Sequence, residues 1–78
     1  MEQQFAEYER TSRHAQRRAQ TALAGSSVLD LRALRVEVVD ESLIISGSVS
    51  SYYHKQLAQE AVRAAAVELA VVNSIQVR

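Results

Sequence analysis

The chain of 78 residues contains no cysteine, no proline and no tryptophan, and it has only two glycines. Without cysteine, neither a disulfide framework nor a thiolate metal site can reinforce the core. A domain of this size buries roughly 60–65% of the surface that it exposes when unfolded, so its core is thin. We therefore expect one small domain over residues 1–78, with a free energy of unfolding of about 5 kcal/mol.

Net charge and long apolar runs are also lacking. Nine basic residues balance nine acidic ones, which argues against broad electrostatic contact with nucleic acid, so we expect no nucleic-acid partner. No apolar run approaches the roughly 20 residues that span a bilayer. The first residues, Met1-Glu-Gln-Gln-Phe5, lack the basic and apolar regions of a secretory signal. If this chain is the full natural protein, we expect it in the cytoplasm. If it is a domain of a longer protein, its localisation is decided elsewhere.

The sequence has no recognisable catalytic or metal-binding motif. Neither His14 nor His54 has a carboxylate at metal-ligand spacing, so we expect no metal and no cofactor. A glycine-rich phosphate loop and a G-x-S-x-G motif are absent. Serines are frequent between residues 42 and 51, but a serine without a positioned base is not a nucleophile. The sequence therefore predicts a protein that is not an enzyme.

Two segments carry apolar and small residues at helical spacing. The first predicts a helix over residues 3–24, and we expect residues 1–12 to form a helical extension that frays. Its stripe consists of Phe5, Tyr8, Ser12, Ala15, Ala19, Ala22 and Leu23. We expect Gly25 to end this helix in a left-handed cap. The second segment predicts a helix over residues 52–67, with Ser51 as its N-cap.

Three segments alternate between apolar and polar residues and predict strands over residues 34–38, 43–49 and 70–77. The element order is α-β-β-α-β, which predicts an α+β fold with two helices packed on one face of a three-stranded sheet. The order of the strands in the sheet cannot be read from the pattern. The connector before the first strand is expected to cover the edge of the core with Val28, Leu29 and Leu31.

The first two strands should form a hairpin whose loop has an even number of residues. Only an even loop places the apolar residues of both strands on the same face, with Val38 opposite Leu43 and Leu34 opposite Gly47. A two-residue turn favours residues that accept positive φ, and Asp40-Glu41 fits this requirement poorly. We therefore expect a four-residue loop over residues 39–42.

Gly47 and Asn73 lie within two short motifs, Ile45-Ser-Gly-Ser-Val49 and Val71-Val-Asn-Ser-Ile-Gln-Val77. A glycine inside a strand marks a close backbone approach or a bend. In this element order, the two motifs resemble the BON domain, the bacterial osmotic-shock and nodulation domain of envelope proteins. The resemblance covers residues 15–78. It departs from the family where Ala66-Val67 replaces the usual Gly-Val pair before the last strand, and where the first helix is about a dozen residues longer.

The resemblance implies a periplasmic or cell-envelope binding module that contacts anionic phospholipid or a membrane-associated envelope protein. It also implies structural roles for Gly47 and Asn73. A second class of function is a structural or oligomerisation module of a larger protein. A small sheet without proline leaves its edges open, which favours self-association through a sheet edge.

The densest basic feature lies on the first helix, where Arg10, Arg13, Arg17 and Arg18 recur with His14 at helical spacing. One interpretation is contact with anionic headgroups, to which each basic residue contributes about 1 kcal/mol. The other is a solvated helix face, partly neutralised by pairs such as Glu9 with Arg13.

The second candidate is the start of the second helix, where Tyr52 and Tyr53 stand near Lys55. Amphipathic aromatic residues beside a lysine are favoured at a membrane interface. Alternatively, one tyrosine packs over the edge of the sheet and the other is simply exposed. Asn73 shares the apolar face of its strand, so we expect it to hold a neighbouring backbone turn by hydrogen bonds.

Overall fold

A computed structural model describes residues 2–78, and for residues 2–9 it describes only the backbone. The elements in chain order are α1 (Glu2–Ala24), α2 (Leu29–Arg32), β1 (Arg35–Val39), β2 (Ser42–Ser46), β3 (Ser48–Val49), α3 (Tyr52–Ala65), β4 (Ala70–Asn73) and β5 (Gln76–Val77). The predicted α+β class is confirmed. The side chains of Phe5 and Tyr8, which the sequence places in the helical stripe, lie outside the described residues.

The sheet has the order β1-β2-β4, so β2 is its central strand. β1 pairs antiparallel with β2, and β4 pairs parallel with β2. β3 and β5 form a second, two-stranded parallel ladder. The second and third predicted strands are therefore each divided in two. The first division falls at Gly47, whose φ is +124°. Bonds from Ser74 N to Ile45 O and from Gln76 N to Gly47 O, both 2.9 Å, keep the two ladders together.

Both long helices cover the same face of the sheet. α1 contacts β1, α3 contacts β4, and the two helices contact each other. The buried apolar residues are Ala15, Ala19, Leu23, Leu31, Leu34, Val36, Leu43, Ile45, Val49, Ala58, Val62, Ala66 and Ile75. Ser12 is buried in the same stripe of α1. Small residues on the buried side of α1 allow its backbone to approach α3 and the sheet closely.

The hairpin has the predicted register but a different loop. Val38 pairs with Leu43, which confirms that both apolar sets share one face. The four-residue loop is wrong, because Val39 pairs with Ser42 and only Asp40-Glu41 form the turn. Asp40 has a φ of 54°. Aspartate accepts this left-handed conformation more readily than most residues, since its short polar side chain bonds nearby backbone groups.

Three further expectations about the helices and the segments around them are wrong. Gly25 is not in the left-handed region. Its N–H bonds to Thr21 O at 2.9 Å, and Ser26 N bonds to Leu23 O at 3.2 Å, so α1 ends in a tightened turn. In the connector, Leu31 is buried but Leu29 is exposed, because the short helix α2 turns these two side chains to different sides. The predicted end of the second helix at residue 67 is two residues too long.

We predict that Gly47→Ala destabilises the domain by about 1–3 kcal/mol. A Cβ atom at this position would lie 2.8 Å from Cδ2 of the buried Leu34, and the φ of +124° strains any L side chain. A loss of 1 kcal/mol in a domain of this size lowers Tm by about 4–8 °C. Thermal unfolding of the parent and the variant measures the effect.

Gly25→Ala is the matched control, because Gly25 lacks a positive φ and its added Cβ would meet only Thr21 O at 3.3 Å. We expect a clearly smaller change in Tm for this variant. Equal melting temperatures for the parent protein and Gly47→Ala would contradict the role assigned to Gly47.

Candidate functional site

Four basic side chains line one shallow groove on the outer side of α1: Arg10, Arg13, His14 and Arg17. All four are exposed. Within residues 10–78, whose side chains the structure describes, none of the four forms an ion pair. We call these residues the arginine groove. The guanidinium groups of the three arginines each present several N–H donors to a negatively charged surface or ligand. The side chain of Glu9, with which the sequence pairs Arg13, lies outside the described residues.

Arg18 does not belong to this groove. Its Nε donates to Ala65 O at 2.8 Å, and its guanidinium pairs with the carboxylate of Glu68. A cation at the end of a helix interacts favourably with the last carbonyl groups and with the helix dipole. A hydrogen bond from its own backbone N–H, together with Arg18, lowers the pKa of Glu68. Arg18 therefore joins the two long helices, unlike the other three predicted arginines.

The tyrosines at the start of α3 are both exposed. Tyr52 is 72% and Tyr53 70% accessible, so neither packs over the edge of the sheet. The ring of Tyr53 lies 6.0 Å from that of His54, measured between centroids. Lys55 is only half-buried, and its carbonyl oxygen accepts a hydrogen bond from Asn73. Two amphipathic rings are thus presented together, and we call them the tyrosine corner.

The arginine groove and the tyrosine corner lie toward opposite ends of the molecule. Arg18 of α1 contacts the C-terminal end of α3, whereas the segment after α1 contacts the N-terminal end of α3 through Asp30 and His54. The two helices therefore run antiparallel. At a rise of about 1.5 Å per residue, Tyr53 lies about 18 Å from Ala65 along α3. Arg13 lies about 7 Å from Arg18 along α1, on the side that points away from Tyr53. These two candidate surfaces do not form one compact site.

The structure also forms a polar cluster around Asp30 that the sequence did not reveal. Asp30 Oδ2 accepts from Ser50 N and Ser50 Oγ, both at 2.7 Å, and lies 2.9 Å from His54 Nδ1. Arg78 approaches Asp30 Oδ1 at 3.7 Å. The cluster ties α2, the start of α3 and the end of the chain together. Asp30 is 20 or more positions from Ser50 and from His54, so no local spacing could have indicated that it joins them.

This cluster contains a serine, a histidine and an aspartate, but its geometry differs from that of a hydrolase triad. In a triad the histidine stands between the other two residues and uses one ring nitrogen for each. Here Nδ1 of His54 faces both Asp30 and, at 3.4 Å, Ser50 Oγ. The hydroxyl group of Ser50 donates directly to the carboxylate. The serine is therefore held by the aspartate instead of being activated by the histidine.

Asn73 joins the last strand to α3. Its Nδ2 donates to Lys55 O at 3.1 Å and to Gln59 Oε1 at 3.0 Å. Its Oδ1 accepts from Ile75 N at 3.1 Å and so closes the turn between β4 and β5. These bonds use both ends of the amide, which leaves little capacity for a ligand.

Two glutamines of α1 cover the outer edge of β1. Gln20 accepts from Val36 N at 2.9 Å and donates to Leu34 O at 2.8 Å. Gln16 donates to Val36 O at 2.9 Å. The side chains thus replace the neighbouring strand that an edge strand lacks. Their spacing of four residues on α1, at the border of its apolar stripe, is a signal that the sequence does contain.

Neither membrane-spanning helices nor clustered metal ligands occur in the part of the chain that the structure describes. No helix there is long and apolar enough to cross a bilayer. No group of three or more histidine, cysteine, aspartate or glutamate residues could hold a metal ion there.

Comparison with protein-family models and with curated proteins finds no match to this chain. Membership of the BON family therefore stays a prediction.

We predict that Asp30→Asn lowers the thermal stability of the domain and removes part of its pH dependence. Hydrogen bonds from the hydroxyl group of Ser50, from His54 and from the backbone of Ser50 hold the pKa of Asp30 well below its ordinary value. A lowered pKa means that the ionised carboxylate stabilises the folded state above the unfolded-state pKa of about 4. That stabilisation is lost as the pH falls from there toward the folded-state pKa.

Thermal melts between neutral pH and pH 2 should therefore show the largest difference between parent and Asp30→Asn above pH 4, with the difference shrinking below it. Glu41→Gln, at an exposed turn position, is the matched control and should follow the parent closely. A difference between parent and Asp30→Asn that does not vary with pH would contradict the role of the ionised carboxylate.

Proposed function

We propose that this domain is a non-catalytic module that binds anionic phospholipid surfaces through the arginine groove. The observation that carries the proposal is the placement of Arg10, Arg13 and Arg17 on one exposed side of α1, with His14 in the same groove. The resemblance to BON domains supports the same function and a location in the cell envelope. The protein as a whole is neutral, so attraction to a membrane depends on this local concentration of positive charge.

The arrangement suits a surface better than an enclosed ligand. The groove is shallow and lies along a helix, so the guanidinium groups can contact several headgroups at once. Each basic residue near an anionic surface contributes about 1 kcal/mol. Such contacts are screened over about 8 Å at physiological ionic strength. Binding is therefore expected to be moderate and strongly dependent on salt.

The tyrosine corner supplies a second, separable contact. Tyr52 and Tyr53 expose most of their ring surface, and burial of aromatic surface does not depend on ionic strength. Because the corner lies about 25 Å from Arg13 along the helices, its contribution can be removed without disturbing the arginine groove.

Co-sedimentation with vesicles tests the proposal. We expect the parent protein to bind vesicles that contain anionic phospholipid at low salt, and to bind neutral vesicles much less. Replacing Arg13 and Arg17 by glutamine should weaken binding about 30-fold, since it removes about 2 kcal/mol. The matched control replaces Arg35 and Arg63, which are exposed outside the groove, and removes the same net charge. It should weaken binding only a few-fold.

A Tyr52→Ser, Tyr53→Ser variant separates the two contacts. We expect it to keep the salt-dependent part of binding and to lose any part that persists at high salt. Equal losses in the groove variant and in its charge-matched control would show that only net charge matters, and would overturn the assignment to the groove. No binding to anionic vesicles at low salt would overturn the function itself.

A further inference from the structure

The two edges of the sheet differ in whether other parts of the chain cover them. At the β1 edge, Gln16 and Gln20 bond the outward N–H and C=O of Val36 and the C=O of Leu34. At the other edge, β4 has a strand neighbour only on the side of β2. One edge is therefore covered by side chains of α1, whereas β4 presents an open edge within the described residues.

The hydrogen bonds of the last strand show which groups that open edge offers. Ser74 N and Gln76 N donate to the central ladder. Because alternate residues of a strand direct both backbone groups to the same side, the groups of Val71 and Asn73 point outward. Farther along, the outward N–H of Ile75 is already bonded by the side chain of Asn73. The open edge thus consists of two donors and two acceptors, on Val71 and Asn73.

We propose that two copies of this chain pair through their β4 strands, antiparallel about a two-fold axis at Val72. Within β4, only Val71 and Asn73 direct their backbone groups outward. Opposing Val71 of one copy to Asn73 of the other uses all of these groups, whereas opposing like residues, Val71 to Val71 or Asn73 to Asn73, uses only half of them. Centring the axis at Val72 places Val71 of each copy opposite Asn73 of the other. Each such pair exchanges two hydrogen bonds, so all four outward donors are satisfied. A register shifted by one residue would bring inward-facing groups together and lose these bonds.

The surroundings of β4 match a second copy of the chain. The strand Ala70–Asn73 carries no charge, so no like charges meet across the axis. Beside it, a groove between α3 and β4 is lined by Glu60, Arg63, Ala64 and Val67. The two-fold axis brings the α3 helices side by side and antiparallel, because they lie on the same face of the extended sheet.

Charges on α3 are then complementary across the axis. Asn73 lies beside Lys55 and Gln59, and Val71 lines the groove with Arg63, so an axis at Val72 falls near Glu60 and Arg63. Glu60 of one copy faces Arg63 of the other, and the same contact is repeated by symmetry. A four-residue edge gives a small interface, so we expect association in the micromolar range or weaker.

Sedimentation measured from about 10 µM to about 1 mM tests this proposal. We expect the parent protein to pass from monomer to dimer over this range. Val72→Lys places two like charges next to the axis, where opposed side chains lie close together, and should weaken dimerisation about tenfold or more. Val72→Glu should do the same. Mixing the two variants should restore a dimer that contains one copy of each.

Val39→Lys is the matched control, because Val39 is a valine of similar exposure, 51% against 43% for Val72, on the opposite edge strand. It should leave dimerisation unchanged. Thermal melts of the three variants should match the parent, since both positions are exposed. A parent protein that stays monomeric throughout would overturn the proposal. So would an equal loss with Val39→Lys, or a failure of the mixed variants to pair. Vesicle binding is measured at concentrations where the chain is monomeric, so its result does not depend on dimerisation and tests the proposed function separately.

Discussion

The close approach of Leu34 to Gly47 is the constraint on which the rest of the fold depends. Leu34 is buried, and its side chain occupies the space where any other residue at position 47 would place a Cβ atom. The positive φ of Gly47 divides the central strand into β2 and β3 at the same place. The carbonyl group of Leu34 also accepts from Gln20. The end of the hairpin, the bend in the sheet and a hydrogen bond to α1 thus meet at this one contact.

Around this contact, side chains bonded to backbone groups complete what a small sheet cannot supply. Gln16 and Gln20 complete the edge of β1, Asn73 holds the turn between β4 and β5 to α3, and Asp30 holds the segment before α3. A buried or half-buried polar group costs free energy unless it is bonded. These bonds therefore stabilise the core. They also leave part of the backbone without an intramolecular partner. In the β1-β2-β4 sheet, that part is the outer edge of β4.

The same distinction between engaged and available groups separates the arginines of α1. Arg18 is engaged by the C-terminal end of α3 and by Glu68. Arg10, Arg13 and Arg17 remain exposed on the outer side of the helix. The charge of the neutral chain is thus distributed so that one helix face stays basic. An anionic surface and a second copy of the chain would meet different parts of the molecule.

The sequence by itself determined the class of the fold, the hairpin register and the cap of α3. These features depend on periodicity and on single residues, as when Ser51 accepts from His54 N, so local patterns suffice to predict them. The predictions of a four-residue loop around Asp40 and of a left-handed cap at Gly25 were wrong, because several backbone conformations of similar energy fit the same local sequence. Only the tertiary structure decided the strand order, the separation of the arginine groove from the tyrosine corner, and the Asp30 cluster. Contacts between residues 20 or more positions apart depend on how whole elements pack, and no spacing along the chain encodes that.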